Sequence, residues 1–198
     1  MDIALMTDAV FDVSGDTIPP IYQFALWDAL VHHVPELAED PLTGVVPLRT
    51  YASEAGMLLA KRSKLVLRLT ASHTGHFDRL AGKRLEIGGS ALQLGQGKLR
   101  EIQPYPTLHS HLVGSNKDEV AFLQDVAARL AELGIGGKLL CGMRNSLKAA
   151  DRTIHGYSLV IHDLKQEDSL RLQYAGLGDD RRYGCGIFIP YKSITDLE

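Results

Sequence analysis

Along this chain apolar residues first alternate with polar ones, then recur every three or four positions, and that succession is later run through again. Residues 3–13 alternate imperfectly and read as a strand, broken at Ser14-Gly15-Asp16. A helix over 21–34 is expected next. Asp16 or Thr17 can cap it, Pro19-Pro20 falls where a first turn tolerates a missing N–H, and Pro35 stops it. Its apolar residues run round most of the circumference, which predicts burial against a sheet. Residues 45–51 read as a strand and 64–70 as a clearer one, while 54–61 suits a strand or a short helix equally. Residues 73–80 read as a short helix ended near Gly82. Arg84-Leu85-Glu86-Ile87 and Ala91-Leu92-Gln93-Leu94 then frame the Gly88-Gly89 turn as a hairpin.

Pro104 and Pro106 interrupt the chain so closely that neither a helix nor a central strand can continue through them. A second cycle starts there. Residues 108–113 read as a strand, and Asn116 is positioned to cap a helix over 117–133 in which Val120, Leu123, Ala127, Leu130 and Ala131 share a face. Gly134 ends that helix. Strands over 138–143 and 156–161, a short helix over 166–174 and a last strand over 186–190 complete the cycle. Two successive βαββαβ units imply an α+β protein of two tandem ferredoxin-like domains, 1–103 and 104–198, each an antiparallel sheet with helices on one face.

Composition narrows the class. With 198 residues, 45% of them apolar and 23% charged, the chain can fill a real core and is neither disordered nor low-complexity. Its formal net charge of -3, from 21 Lys+Arg against 24 Asp+Glu, means that a nucleic acid must be held by a local basic patch. No apolar run approaches the roughly 18 residues that cross a bilayer. The N-terminus lacks a basic region and carries acids inside its apolar stretch, so a cytoplasmic protein without a signal peptide is expected. Cys141 and Cys185 stand alone, as reduced structural thiols do, with no second cysteine near either to suggest zinc.

The most specific segment is Gly176-Leu177-Gly178-Asp179-Asp180-Arg181-Arg182-Tyr183-Gly184-Cys185-Gly186. Glycine admits positive φ and close backbone approach, so N–H groups here can meet a phosphate while Arg181 and Arg182 add charge. The pattern Arg181-x-x-Gly184-x-Gly186 also matches the pyrophosphate loop of GNAT-type acetyltransferases. That loop must open a long helix. Here Ile187-Phe188-Ile189-Pro190 follows, with only eight residues beyond it, so no acetyl-coenzyme A half-site can be built.

Gly-Leu-Gly, five intervening residues, Gly-Cys-Gly and then Ile-Phe-Ile-Pro resemble the glycine-rich loop of the RAMP superfamily. More narrowly the chain resembles short CRISPR repeat-processing endoribonucleases of the Cas-six family. Supporting segments are Gly134-Ile135-Gly136-Gly137-Lys138-Leu139-Leu140-Cys141-Gly142, Gly156-Tyr157-Ser158-Leu159 and Pro190-Tyr191-Lys192-Ser193. The resemblance implies tandem ferredoxin-like folds and cleavage of CRISPR precursor RNA within its repeat, with no metal and no cofactor. In that chemistry a base takes the proton of a ribose 2′-OH, the alkoxide attacks the adjacent phosphate, and an acid protonates the departing 5′-oxygen. The products are a 2′,3′-cyclic phosphate and a 5′-OH. The implied partner is repeat or guide RNA, together with other subunits of a CRISPR effector complex. A RAMP-type subunit that holds guide RNA without cutting it is the alternative.

Eight histidines are candidates for proton transfer: His32, His33, His73, His76, His109, His111, His155 and His162. In the family the catalytic histidine lies on or just after the first helix, which points to His33 or His32. Asp28 lies four residues before His32 and can orient its ring, while Tyr22, 11 residues or about three turns before His33, falls on that residue's stripe. Adjacent histidines at a helix end can also simply cap carbonyls. His109 and His111 share a strand face and could line an RNA surface or bind a metal, for which a third ligand is lacking. Arg144, Lys148 and Lys192 join Arg181 and Arg182 as candidate phosphate contacts, and Tyr183 could stack on a base or pack on the protein.

Overall fold

The computed structural model describes residues 3–54 and 56–191, so the expected role of Lys192 lies outside the described residues. The chain divides into two compact units: one is Leu5–Glu101 together with Arg181–Gly184, and the other is built around Ile102–Asp180 with the chain from Cys185 onward.

In the first unit the order is β1 (Met6–Ser14), α1 (Gln23–His33), β2 (Gly44–Val46), β3 (Thr50–Ser53), β4 (Gly56–Leu59), β5 (Lys64–Thr70), β6 (Arg84–Ile87) and β7 (Ser90–Arg100). Five strands form one sheet in the order β2-β5-β1-β7-β6, and each neighbouring pair is antiparallel. Leu65, Leu67 and Leu69 alternate along β5 and are fully buried with Ala9 and Phe11 of β1, the period-two burial of a sheet face against its core. On the other parity, Asp8 stands opposite Arg68 on one side and Arg100 on the other. Arg68 Nε donates to Asp8 Oδ1 at 2.9 Å, and both side chains are buried, so a cross-strand ion pair runs through the middle of the sheet.

Three expectations change here. The strand read over 45–51 leaves the sheet after Val46, because Pro47 has no N–H to give the ladder, and the chain pairs again only as the β3–β4 hairpin. The ambiguous 54–61 segment contains a strand, β4. Residues 73–80 do not form an α-helix but two 3-10 turns, Ala71–His73 and Phe77–Leu80, with Thr74-Gly75 between them; so short a segment does not repay helix nucleation.

The second unit runs β8 (Leu108–Gly114), α2 (Glu119–Glu132), β9 (Lys138–Lys148), β10 (Thr153–His162), α3 (Gln166–Ala175) and β11 (Ile189–Pro190). Its sheet has the order β11-β8-β10-β9, again antiparallel throughout. Leu108, Leu159, Ile161 and Phe188 pack with Phe122, Val126, Leu130 and Leu172 of the two helices into one apolar core. The cap of α2 is Asp118 rather than Asn116: its Oδ1 accepts the Ala121 N–H at 2.9 Å. The buried stripe is accordingly Phe122, Val126 and Leu130, and Val120 is left 67% exposed. The last strand is shorter than 186–190, since only Ile189 and Pro190 pair with β8. Cys141 and Cys185 are free thiols, and burial pushes Cys185 up to about 12, which leaves it unreactive. Among the described residues no helix is long and apolar enough to cross a membrane.

Candidate functional site

Helix α1 buries Leu26, Trp27 and Leu30 and turns its last residues outward. His32 is exposed and His33 half-buried, and their rings meet edge to face at 5.4 Å between centroids. His33 Nε2 lies 3.4 Å from the Arg84 carbonyl oxygen, which can only accept. A bond there places the ring proton on Nε2 and leaves Nδ1 as the basic nitrogen. Tyr22 caps the other end of the helix. Its ring is 5% exposed, its hydroxyl oxygen accepts the Leu48 N–H at 2.7 Å, and burial pushes the phenol up to about 12. The expectation that Tyr22 takes part in the chemistry is therefore corrected: it ties α1 to the chain at Leu48 and has no open path to a reacting atom.

The glycine-rich segment is shaped from within. Gly176 (φ 63°) ends α3, and Gly178 (φ 74°), Gly184 (φ 84°) and Gly186 (φ 64°) also take the left-handed region. A side chain at Gly186 would collide with the Leu177 carbonyl, and one at Gly184 would press on Pro47. The N–H of Gly186 donates to Leu112 O at 2.7 Å, that of Gly184 to Arg181 O at 2.9 Å and that of Gly176 to Leu172 O at 2.9 Å. These amides are spent on the fold, so the expectation that Gly176, Gly184 and Gly186 offer theirs to a phosphate is corrected.

Between the glycines, Arg181–Tyr183 makes a 3-10 turn that belongs to the same unit as α1. The neighbouring arginines have opposite fates. Arg181 is 5% exposed, so it is no surface contact for RNA, whereas Arg182 is exposed with its guanidinium carbon 5.9 Å from the Tyr183 ring centroid. Tyr183 is buried against Phe24 of α1, ring centroids 4.6 Å apart, which corrects the alternative of a free stacking platform. Tyr22, Leu26, Val45, Pro47, Arg182 and Tyr183 surround one shallow depression.

The structure thus brings Tyr22, His32, His33, Arg181, Arg182, Tyr183 and Gly184 into one unit. Arg144 and Lys148 are exposed on β9 of the other, where Arg144 lies over the Tyr157 ring at 5.6 Å. His109 and His111 share a face of β8, with rings 4.8 Å apart, and Tyr191 lies beside His109 at 5.4 Å. Burial, then the neighbouring His111, pulls His109 down to about 4. No group of three metal-ligating side chains occurs among the described residues.

A polar cluster in the α1 unit carried no sequence signal. Asp40, 7% exposed, accepts from the Thr70 hydroxyl at 2.7 Å and from the Leu42 N–H at 2.9 Å. His73 Nδ1 lies 2.8 Å from the same Thr70 hydroxyl. The residues involved are 30 positions apart and of common types, so only folding reveals the group.

An α+β chain of three helices and antiparallel sheets, closed by a glycine-rich loop, has the architecture of RAMP proteins. A solved structure described as an RAMP protein binding different RNA substrates matches 92% of this chain and 98% of its own, with a TM-score of 0.64 at 12% identity. Another, a CRISPR associated protein Cas6, matches 96% of this chain and all of its own (100%), with a TM-score of 0.63 at 8% identity. The CRISPR-associated endonuclease Cas6 of Myxococcus xanthus is 32% identical over 191 residues, covering 96% of this chain and 83% of that protein. The family model described as Cas6 Crispr matches residues 7–193. The chain belongs to the Cas6 family of CRISPR-associated endoribonucleases, the Cas-six proteins that its glycine-rich loop resembles.

Proposed function

We propose that this chain cleaves precursor CRISPR RNA within the repeat without a metal ion, by proton transfer at His32 and His33, and retains the guide-bearing RNA. The observation that carries this reading is the seating of the glycine-rich loop on the helix that ends in the histidine pair. Tyr183 packs on Phe24, and the eight residues from there to His32 span about 12 Å of helix. A cation at Arg182 and two imidazoles thus belong to one rigid element, within reach of a single stretch of RNA.

In this mechanism His33 Nδ1 takes the proton of the 2′-OH while Arg84 holds the ring through Nε2. The alkoxide attacks the adjacent phosphorus, the P–O5′ bond breaks, and His32 returns a proton to the departing 5′-oxygen. Arg182 stabilises the phosphorane charge. Arg144 and Lys148, exposed on β9, supply further phosphate contacts. Each unit is read as ferredoxin-like, with domains divided at 103/104. Support comes from the strand order β7-β1-β5-β2 in one unit and β11-β8-β10-β9 in the other, fourth-first-third-second of a βαββαβ chain in both.

The test is the double variant H32A/H33A against RNA carrying the repeat of the CRISPR array beside the gene. Cleavage is expected to fall by at least about a hundredfold, the lower range for a lost proton-transfer group, with binding within a few-fold of the parent. Full-rate cleavage by the double variant would overturn the assignment. Tight binding by a parent protein that yields no cyclic phosphate would make the chain a guide-RNA-holding subunit of an effector complex instead.

A further inference from the structure

Arg181 and Arg182 are adjacent, equally charged and part of the same loop, yet one is 5% exposed and the other faces solvent. A guanidinium that deep must be balanced by an acid. Arg68, the nearby cation, is engaged with Asp8: Nε donates to Oδ1 at 2.9 Å and Nη2 to Oδ2 at 3.3 Å. The acid whose charge acts on Arg181 is Asp40, 7% exposed. That carboxylate is itself fixed, by the Thr70 hydroxyl at 2.7 Å and the Leu42 N–H at 2.9 Å, so it is a stationary counter-charge. Burial and Arg68 together pull the Arg181 guanidinium down to about 10 while Asp40 opposes them, and it stays cationic at neutral pH. The residues that follow Arg181 settle around it. Tyr183 lies on Phe24, and Gly184, backed by Pro47, donates its N–H to the Arg181 carbonyl at 2.9 Å.

We propose that Arg181 is a positioning residue: balanced by Asp40, it anchors segment 181–184 of the glycine-rich loop inside the Leu5–Glu101 unit and thereby presents Arg182 to RNA, without touching RNA itself. The part that concerns RNA rests on the function proposed above. The anchoring does not.

Two measurements separate these. In the RNA-free protein, hydrogen exchange at the Gly184 amide is expected to quicken by roughly tenfold or more in R181Q and in D40N, with the β1–β5 ladder still protected. The double variant R181Q/D40N is expected to exchange no faster than the quicker single one, because both changes break one interaction. R181K keeps the charge and is expected to hold protection within about threefold of the parent, so it carries the test if the Gln variant does not fold. Parental protection in both R181Q and D40N, additive effects in the double variant, or an R181K as unprotected as D40N would overturn the anchor. With repeat RNA, R182Q is expected to lower the slope of log affinity against log salt by about 0.7, while R181Q leaves the slope unchanged. A slope lowered in R181Q would make Arg181 a phosphate contact and contradict the proposal. A parent that binds no repeat RNA would contradict the proposed function while leaving the exchange result to decide the anchor.

Discussion

The unit around Ile102–Asp180 lays two full α-helices, α2 and α3, on its sheet, whereas the Leu5–Glu101 unit has α1 and, at the place of a second helix, only the turns Ala71–His73 and Phe77–Leu80. Their interiors differ in the same sense. Among the described residues the first buries Ser110, Ser169 and Gln173 as its polar groups, all uncharged, while the second buries Asp8, Asp40 and Arg68 and takes in Arg181. Ionised groups leave water only where partners meet them, and an apolar replacement is often more stable. Charge is thus retained in the unit that also holds the histidine pair and the turn of the glycine-rich loop, and the other unit is built as an ordinary apolar core. Local rules bend at sites of function and hold elsewhere.

The sharpest way to break this contrast is Arg68→Met. It strands the buried Asp8 carboxylate, and a loss of about 4 kcal/mol is expected by urea unfolding, as for one partner removed from a buried pair. A loss below about 1 kcal/mol would mean that the pair is solvated and the contrast false. Next comes Gly186→Ala, which combines a left-handed φ of 64° with a collision at the Leu177 carbonyl. It is expected to cost about 3 kcal/mol. In the apolar unit, Asp118→Ala removes the α2 cap and is expected to cost about 1 kcal/mol in the same assay. Val120→Ser, at a position 67% exposed, is expected to stay within about 0.5 kcal/mol; a larger loss would restore the face first read from the sequence.

Acid distinguishes the units as well. His109 is held down to about 4, below the ordinary histidine value of 6.5, by burial and by His111. Between those values the unfolded chain binds a proton that the folded one refuses, so this group favours folding above pH 6.5 and loses that contribution as pH falls toward 4. H109Q is expected to flatten the fall in stability over that window. An unchanged pH profile would count against the burial of the ring.

What the sequence made legible follows the range of the interactions. Strands such as β5 and helices such as α3 are set by neighbours within a turn or two, and their periodicity located them almost to the residue. The cap of α2 was missed by two positions, Asn116 for Asp118, and the error rotated the inferred face from Phe122 to Val120. The glycine-rich loop stood out because four glycines there are needed locally. The opposite fates of Arg181 and Arg182 were invisible, since burial is decided by Asp40 and α1, more than a hundred positions away along the chain. The Asp8–Arg68 pair, 60 residues apart, is hidden for the same reason.

The central claim is that a protein of this family cuts the repeat with side chains alone. Its most direct measurement is incubation of the purified protein with 5′-labelled repeat RNA in excess EDTA, followed by analysis of the fragment ends. The expected result is one cut within the repeat, a 2′,3′-cyclic phosphate on the upstream fragment and a 5′-OH on the downstream one, lost in H32A/H33A. Cleavage that appears only on adding a divalent metal, or that leaves a 5′-phosphate, would contradict it.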